Sequence, residues 1–277
     1  MDQGDHGALW MKVIGIDPAP RKGLSIFDGV DDEVKVEGAT KMVAKLAGGD
    51  GILLCWDAPL TGPPASVVGG ATAVGAAFSQ RPIESFFSRK ITGFQTPKGI
   101  AMLPYSGCSH WALTRCLLGL PRVGRFDLPV ESLPFQLATS NDERPAYGRY
   151  VVEVHPAVAL WLWCREGRSA TASCHYKNKK DPAVLLELWE RLLEVPAVAA
   201  VLFEVQKIAP KSDDQLDARV AYALGRLWLD DPASVLLLGN ADTGAFLVPS
   251  VPGIEDAFRS FIPELPDAST RAERITG

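Results

Sequence analysis

Two short apolar runs near the N-terminus, KVIGID and ILLCWD, each end in an aspartate. Continuous apolar runs of this kind are typical of buried strands in a sheet that is covered on both faces. An ordinary buried strand would carry Val or Ile at its last position, but these runs end at Asp17 and Asp57. They therefore predict neighbouring central strands that bring acids to one edge of a sheet, where open α/β sheets place ligands.

The segments around these runs predict an α/β fold. The pattern before residue 60 predicts strand, strand, strand, helix and strand, and YVVEVHP and SVLLLG predict two later strands. The stretches that follow Pro156 and Pro182 predict helices that begin at a proline. We expect a single domain over residues 11–277 with an insertion at about 60–147, and residues 1–10 as an N-terminal extension.

The stretch DDQLDARVAYALGRLWL has the apolar spacing of a long helix. Asp217 falls at the edge of its apolar stripe, and Asp214 lies beside it one turn earlier. Acids in the first turn of a helix interact favourably with its dipole, and Ser212 is suited to cap the N-terminus, which explains Asp214 on structural grounds. Asp217 would lie on the packing side of the helix, so its carboxylate needs a partner.

Together, Asp17, Asp57, Asp214 and Asp217 favour a carboxylate cluster that binds Mg²⁺ or Mn²⁺. Acids delivered by three separate segments are typical of nucleases and other phosphoryl-transfer enzymes. Taken singly, Asp17 and Asp57 have a simpler explanation, because an Asp close before a proline commonly starts a turn at the end of a strand. The conjunction of the four acids is what favours a metal site.

YVVEVHP places Glu153 and His155 on one face of a predicted strand. Two interpretations stay open for this pair. The carboxylate of Glu153 can hold the imidazole of His155 inside the core. Alternatively, both residues belong to the site, with His155 as a general base or a metal ligand.

Basic residues are concentrated in residues 81–125, which carry seven bases and one acid although the net charge of the chain is -5. Such a stretch can bind a phosphate-bearing substrate such as nucleic acid, or it can be a solvated surface. Its candidate substrate-binding residues are Arg89, Lys90 and Lys98. Lys177, in the polar run SATASCHYKNKKDP, is a further candidate that can reach a phosphate.

The sequence predicts a cytoplasmic protein with no membrane partner. No apolar run approaches the ~20 residues that cross a bilayer, and the first ten residues lack a secretory pattern. The five cysteines form no C-x-x-C pair, which favours reduced thiols. The oligomeric state has no signal in the sequence.

Four motifs in chain order, GIDPAPRKG, LLCWDAPL, VVEVHP and DDQLDARVAYAL, resemble the predicted-nuclease family called domain of unknown function 429. GIDPAPRKG also resembles the opening of RuvC-type resolvases in the ribonuclease H-like superfamily. The resemblance implies a ribonuclease H-like α/β fold, a mixed sheet of about five main strands flanked by helices, with an inserted loop and helix region. It also implies that the superfamily's metal-binding acids lie at Asp17, Asp57, Asp214 and Asp217, and Glu153 matches a family motif. Pro18-Ala19-Pro20 departs from the glycine-bearing turn of resolvases, which leaves the substrate open.

If the chemistry is that of the superfamily, two ions of Mg²⁺ or Mn²⁺ lie between the carboxylates, bridged by Asp17, and the reaction is hydrolysis of a phosphodiester bond. Two alternatives stay open. One is a phosphotransferase similar to the actin and sugar-kinase superfamily, which normally has two such domains and a second glycine-rich phosphate hairpin that this sequence lacks. The other is a non-catalytic nucleic-acid-binding module that uses the basic stretch.

Overall fold

The structure is a computed structural model, and it describes residues 11–19, 23–35, 51–60, 81–97, 100, 135–143, 145, 147–165, 176–177, 182–241 and 243–262. Several predictions from the sequence lie outside these residues. The helix predicted between the third and fourth strands (39–49) is one of them, and the sequence also predicts a helix over 108–120 that lies outside the described residues. The N-terminal extension and Lys98, a candidate substrate-binding residue, lie outside them as well.

A six-stranded mixed sheet forms the centre of the fold, in the order β3-β2-β1-β4-β6-β5. The strands are β1 Lys12–Ala19, β2 Gly23–Phe27, β3 Asp32–Lys35, β4 Ile52–Trp56, β5 Gln136–Leu137 and β6 Arg149–Glu153. The first three strands pair antiparallel, whereas β1, β4, β6 and β5 run parallel to one another. Because β5 has two residues, the prediction of a mixed α/β sheet with five main strands is confirmed.

Six α-helices flank the sheet in the described part of the chain. They are α1 Pro82–Ser88, α2 Pro156–Cys164, α3 Pro182–Leu193, α4 Pro196–Val201, α5 Asp213–Asp230 and α6 Ile254–Phe261. Four begin at a proline, which has no N–H to leave unsatisfied in the first turn. Across the described ranges, none of the helices has both the length and the apolar character needed to span a membrane.

A two-stranded antiparallel hairpin, β7 Val235–Asn240 and β8 Gly244–Pro249, lies beside the main sheet. A single parallel bridge between Val154 and Leu247 joins the hairpin to the end of β6. The turn is fixed by three hydrogen bonds between Asn240 and Thr243, at 2.9, 3.0 and 3.1 Å. The sequence predicted β7 from its apolar run, but not β8 or this pairing.

The long helix α5 packs directly on β1 and β4. A Cβ atom at Gly15 would lie 1.9 Å from the carbonyl oxygen of Ala218, and one at Gly225 would lie 2.2 Å from the Sγ of Cys55. Glycine at both contact points therefore allows the helix and the sheet to approach closely. Because side chains alternate along a strand, Asp17 shares the α5 side of β1 with Gly15 and lies toward the start of the helix.

Arg219 connects the middle of α5 to the edge of the sheet. Its side chain is 1% exposed and donates two hydrogen bonds to the carboxylate of Asp32 at the start of β3, from Nε at 3.1 Å and from Nη2 at 2.5 Å. Its guanidinium lies 4.9 Å from the ring centroid of Trp189 and donates to the carbonyl oxygen of Ile208. This buried charge is paired and hydrogen-bonded, as burial of a charge requires.

Candidate active site

Asp17 and Asp57 lie side by side on adjacent parallel strands, as the sequence predicted. Ile16 pairs with Trp56 in the register of β1 and β4, and the amide of Asp57 donates to the carbonyl oxygen of Ile16 at 2.9 Å. Asp17 is 8% exposed, and Asp57 is half-buried directly after β4. The pairing brings the two carboxyl groups to the same edge of the sheet.

The first turns of α5 bring Asp217 to this edge. Ser212 caps the helix by accepting a hydrogen bond from the amide of Gln215 at 3.2 Å, which confirms the predicted N-terminus. Asp214 is half-buried, whereas Asp217 is fully buried. The predicted packing of Asp217 against the body of the protein is therefore confirmed.

The partners of Asp217 are Tyr176 and Lys177. The hydroxyl of Tyr176 donates to one carboxylate oxygen of Asp217, and the ammonium of Lys177 donates to the other. Tyr176 is fully buried, but the side chain of Lys177 is 38% exposed. Both oxygens of Asp217 are thus bound by donors from a segment distant in sequence.

The acids at this edge are close enough to affect one another's protonation. Burial, followed by the charges of Asp217, Asp57 and Asp214, raises the pKa of Asp17 well above its ordinary value, against the opposing effect of Lys177. Burial also raises the pKa of Asp57 to about 8, with the charge of Lys177 opposing the shift and those of Asp217 and Glu153 adding to it. Both carboxyl groups therefore hold a proton at pH values where an exposed aspartate is ionised.

Among the residues that the structure describes, Lys177 is the positive group beside these acids. Burial lowers its pKa, but the carboxylates of Asp217, Asp57 and Asp17 together raise that pKa above the ordinary value of lysine. Burial raises the pKa of Asp217, and Lys177 and Tyr176 reduce that increase. The ammonium thus interacts favourably with all three carboxylates.

The donor chemistry of the site fits a hard divalent cation. Within the described ranges, no hydrogen bond or ion pair is made to the carboxylate of Asp17 or Asp57, and carboxylate oxygens are preferred ligands of Mg²⁺. As they are arranged, however, the described His, Cys, Asp and Glu side chains form no group of three or more that could hold a metal ion. A proton donor, Lys177, already occupies Asp217.

Glu153 is part of a buried ion network at the end of β6. Its carboxylate accepts hydrogen bonds from the amide of Leu60 at 2.8 Å and from the guanidinium of Arg81 at 2.9 and 2.5 Å. Arg81 also pairs with Glu84 at 2.7 Å. Arg81 belongs to the basic stretch 81–125, which the sequence predicts either to bind phosphates or to be solvated surface, but its side chain is buried at the start of α1.

His155 and the predicted phosphate-binding residues have other neighbours. The half-buried ring of His155 packs on Phe246, with 5.5 Å between ring centroids. Arg89 and Lys90 are exposed, and the guanidinium of Arg89 lies over the ring of Phe261 at 5.6 Å. Of the predicted substrate-binding residues that the structure describes, Lys177 is the one brought to the carboxylates.

Tyr176 and Arg81 are the members of this region that sequence reasoning missed. Tyr176 is an aromatic residue inside a polar run, CHYKNKK, and this isolated apolar position next to a lysine was the available signal. Arg81 is followed by a proline and, three residues later, by an acid. That spacing gives the reciprocal capping contacts of α1, in which Glu84 accepts from the amide of Arg81 at 2.6 Å.

Comparison with known proteins supports a relation to an uncharacterised family. A family model described as "Protein of unknown function (DUF429)" matches residues 136–241, which is less than half of the chain. The matched region includes Lys177 and Asp217, but neither Asp17 nor Asp57. No curated protein and no solved structure matches the chain.

Proposed function

We propose that this chain is a ribonuclease H-like, divalent-metal-dependent nuclease that hydrolyses phosphodiester bonds. The observation that carries the proposal is the convergence of Asp17, Asp57 and Asp217, from two adjacent strands and one helix, at one edge of the sheet. The mixed sheet with five main strands agrees with what the motif resemblance implies.

The electrostatics of the cluster favour a functional role over a structural one. Burial and mutual repulsion raise the pKa values of Asp17 and Asp57, so their ionised forms oppose folding. Structural acids usually gain a cation or several amide donors, but within the described segments neither carboxylate has one in hydrogen-bonding contact. Buried acids with raised pKa values in one cluster are typical of catalytic and metal sites.

The residues that would hold Mg²⁺ or Mn²⁺ are Asp17 and Asp57, together with Asp214 or Asp217. When bound, such an ion activates a water molecule and stabilises the leaving oxygen of a phosphodiester. Ionised carboxylates repel a phosphate, so substrate binding requires a cation or protons to neutralise the acids that Lys177 does not. Lys177, which is partly exposed, can donate a hydrogen bond to a non-bridging phosphate oxygen.

The buried ion network around Arg81 lies next to the carboxylates and holds the segment that follows Asp57 in place. Because Glu153 accepts a hydrogen bond from the amide of Leu60, it fixes the short segment that follows Asp57. The same carboxylate contributes to the raised pKa of Asp57. Glu153 therefore acts in the proposal as a positioning residue, and Arg81 neutralises it.

A non-catalytic nucleic-acid-binding module is the second candidate. It is favoured by the contact between Lys177 and Asp217, because a protein lysine there neutralises one acid without any metal. In such a module Asp17 and Asp57 would have no role in phosphodiester cleavage.

Cleavage assays distinguish these candidates. Labelled single-stranded and duplex DNA, RNA, RNA–DNA hybrid and a four-way junction are incubated with the protein in Mn²⁺, in Mg²⁺ or in chelator. We expect metal-dependent cleavage of at least one substrate, a loss of more than about 100-fold in Asp17→Asn, and wild-type activity in the exposed control Asp256→Asn. Binding without cleavage would favour the module, and ATP turnover without cleavage would favour a phosphotransferase.

A further inference from the structure

The carboxylate of Asp217 is fully engaged by two donors from one short segment. Tyr176 donates to one oxygen and Lys177 to the other. The two donors differ in freedom, because Tyr176 is fully buried whereas the side chain of Lys177 is 38% exposed. A lysine side chain has a flexible stem, so the ammonium can leave the carboxylate while the tyrosine stays in place.

The ammonium of Lys177 interacts favourably with each member of the cluster. Its charge opposes the raised pKa of Asp17, of Asp57 and of Asp217. Asp17 is more than nine-tenths buried, and its carboxylate has no hydrogen bond or ion pair within the described part of the chain. Within the described part of the chain, Lys177 is thus the protein cation that faces these carboxylates, at a place where a divalent cation would be favoured.

We propose that Lys177 is an internal counter-ion that a divalent cation must displace from Asp217 in order to bind. This inference rests on the proposed function, since it concerns the affinity of the same site for metal. Lys177 neutralises Asp217 when the metal is absent, and Tyr176 keeps the carboxylate oriented after the exchange. Once displaced, the ammonium can donate a hydrogen bond to a phosphate of the substrate.

Competition of this kind has a measurable consequence. Metal binding requires the ion pair between Lys177 and Asp217 to break. The ion pair therefore weakens the apparent affinity of the site for metal. Removal of the ammonium should strengthen binding, and bound metal should in turn release the lysine, because coupling between two ligands of one site is reciprocal. If Lys177 instead supported the metal site, its removal would weaken binding.

Calorimetric titration with Mn²⁺ tests the proposal on wild type, Lys177→Met, Lys12→Met and Asp17→Asn. Lys12→Met is the matched control, because Lys12 is exposed and its ion pair with Asp28 lies on the surface. We expect Lys177→Met to bind Mn²⁺ about tenfold more tightly than wild type, Lys12→Met to bind like wild type, and Asp17→Asn to lose binding.

The outcomes separate this inference from the proposed function. Equal or weaker binding by Lys177→Met, with normal binding by wild type, overturns the counter-ion role alone. No binding by either protein overturns the metal site itself and the counter-ion role with it.

A second measurement uses the wild-type protein and so does not depend on the folding of a variant. Lysine acetylation is followed by mass spectrometry with and without saturating Mg²⁺. We expect the modification of Lys177 to increase when metal displaces it, while that of Lys12 stays constant. Unchanged or reduced modification of Lys177 in the presence of bound metal would contradict the displacement.

Discussion

The protonation of Asp57 should affect the stability of the protein near neutral pH. Its pKa is raised to about 8 in the folded state, whereas an unfolded Asp titrates near its ordinary value of about 3.9. Between these values the folded state binds the extra proton. The stability contributed by this group is therefore complete below about pH 4 and is lost as the pH rises through about 8.

We predict that the free energy of unfolding of the metal-free protein decreases between pH 5 and 8, and that Asp57→Asn reduces this slope. One group contributes at most about 1.4 kcal/mol per pH unit. Urea unfolding at several pH values in chelator measures the slope, with the exposed Asp256→Asn as control. A slope in Asp57→Asn equal to that of wild type would mean that Asp57 is not protonated in the folded state.

The positions of the acids followed from the sequence, but their partners did not. Asp17 and Asp57 could be predicted because each ends an apolar strand, and parallel neighbours bring such ends together. The need of Asp217 for a partner was also predictable from the helical stripe. The identity of that partner, Tyr176 with Lys177, depends on a tertiary contact over about forty residues of chain, which no local pattern encodes.

At the scale of elements, the close packing of α5 on β1 determines where Asp217 lies relative to Asp17. Gly15 is the contact point, since a Cβ there would overlap the backbone of α5 at Ala218 and Tyr222. We predict that Gly15→Ala lowers the free energy of unfolding by about 2 to 3 kcal/mol and weakens Mn²⁺ binding, because α5 must move away from the sheet.

The control for this change is Gly93→Ala. Gly93 has a positive φ of 72° and open space around it, so its substitution should cost about 1 kcal/mol from backbone strain and leave Mn²⁺ binding unchanged. Unfolding in urea and calorimetry measure the two effects. An equal loss of unfolding free energy in the two variants would show that α5 can move away from β1 without destabilising the protein.

The network around Arg81 belongs to the same scale, because it joins α1, β6 and the segment after β4. We predict that Glu153→Gln lowers the free energy of unfolding by about 3 kcal/mol, since it removes the charge that pairs with a buried guanidinium. The exposed Glu187→Gln is the control. Mn²⁺ binding should persist in Glu153→Gln; loss of binding with unchanged stability would instead make Glu153 a metal ligand.

Most elements were predictable where periodicity and prolines were clear, as for β4, α2 and α5. The pairing of β7 with β8 was not, because β8 follows a turn whose hydrogen bonds between Asn240 and Thr243 are visible only in the folded chain. The apolar run over residues 200–205 is typical of either a helix end or a short strand, and in the structure it forms the end of α4 and a 3₁₀ turn, Phe203–Val205. Short apolar runs do not distinguish these states by pattern alone.

For the molecule as a whole, the net charge of -5 requires local positive charge if the substrate is a nucleic acid. Arg89 and Lys90 are exposed and remain the predicted partners of its phosphates. We predict that the double variant Arg89→Glu with Lys90→Glu binds the cleaved substrate more weakly than wild type. The slope of the logarithm of the binding constant against the logarithm of the salt concentration should also become flatter, by about 0.9 for each duplex phosphate that is no longer neutralised. Lys12→Glu with Lys207→Glu is the matched control, and fluorescence anisotropy at several salt concentrations measures both. Identical slopes in the two double variants would make residues 89 and 90 ordinary solvated surface.

The central claim is that the carboxylates of Asp17 and Asp57 hold a divalent cation. An anomalous difference map from crystals of the protein soaked in Mn²⁺ tests it directly. We predict a peak that contacts oxygens of both residues at about 2.0 to 2.2 Å, with the ammonium of Lys177 displaced from Asp217. A saturating soak with no peak between Asp17 and Asp57, and Lys177 still on Asp217, would contradict the claim.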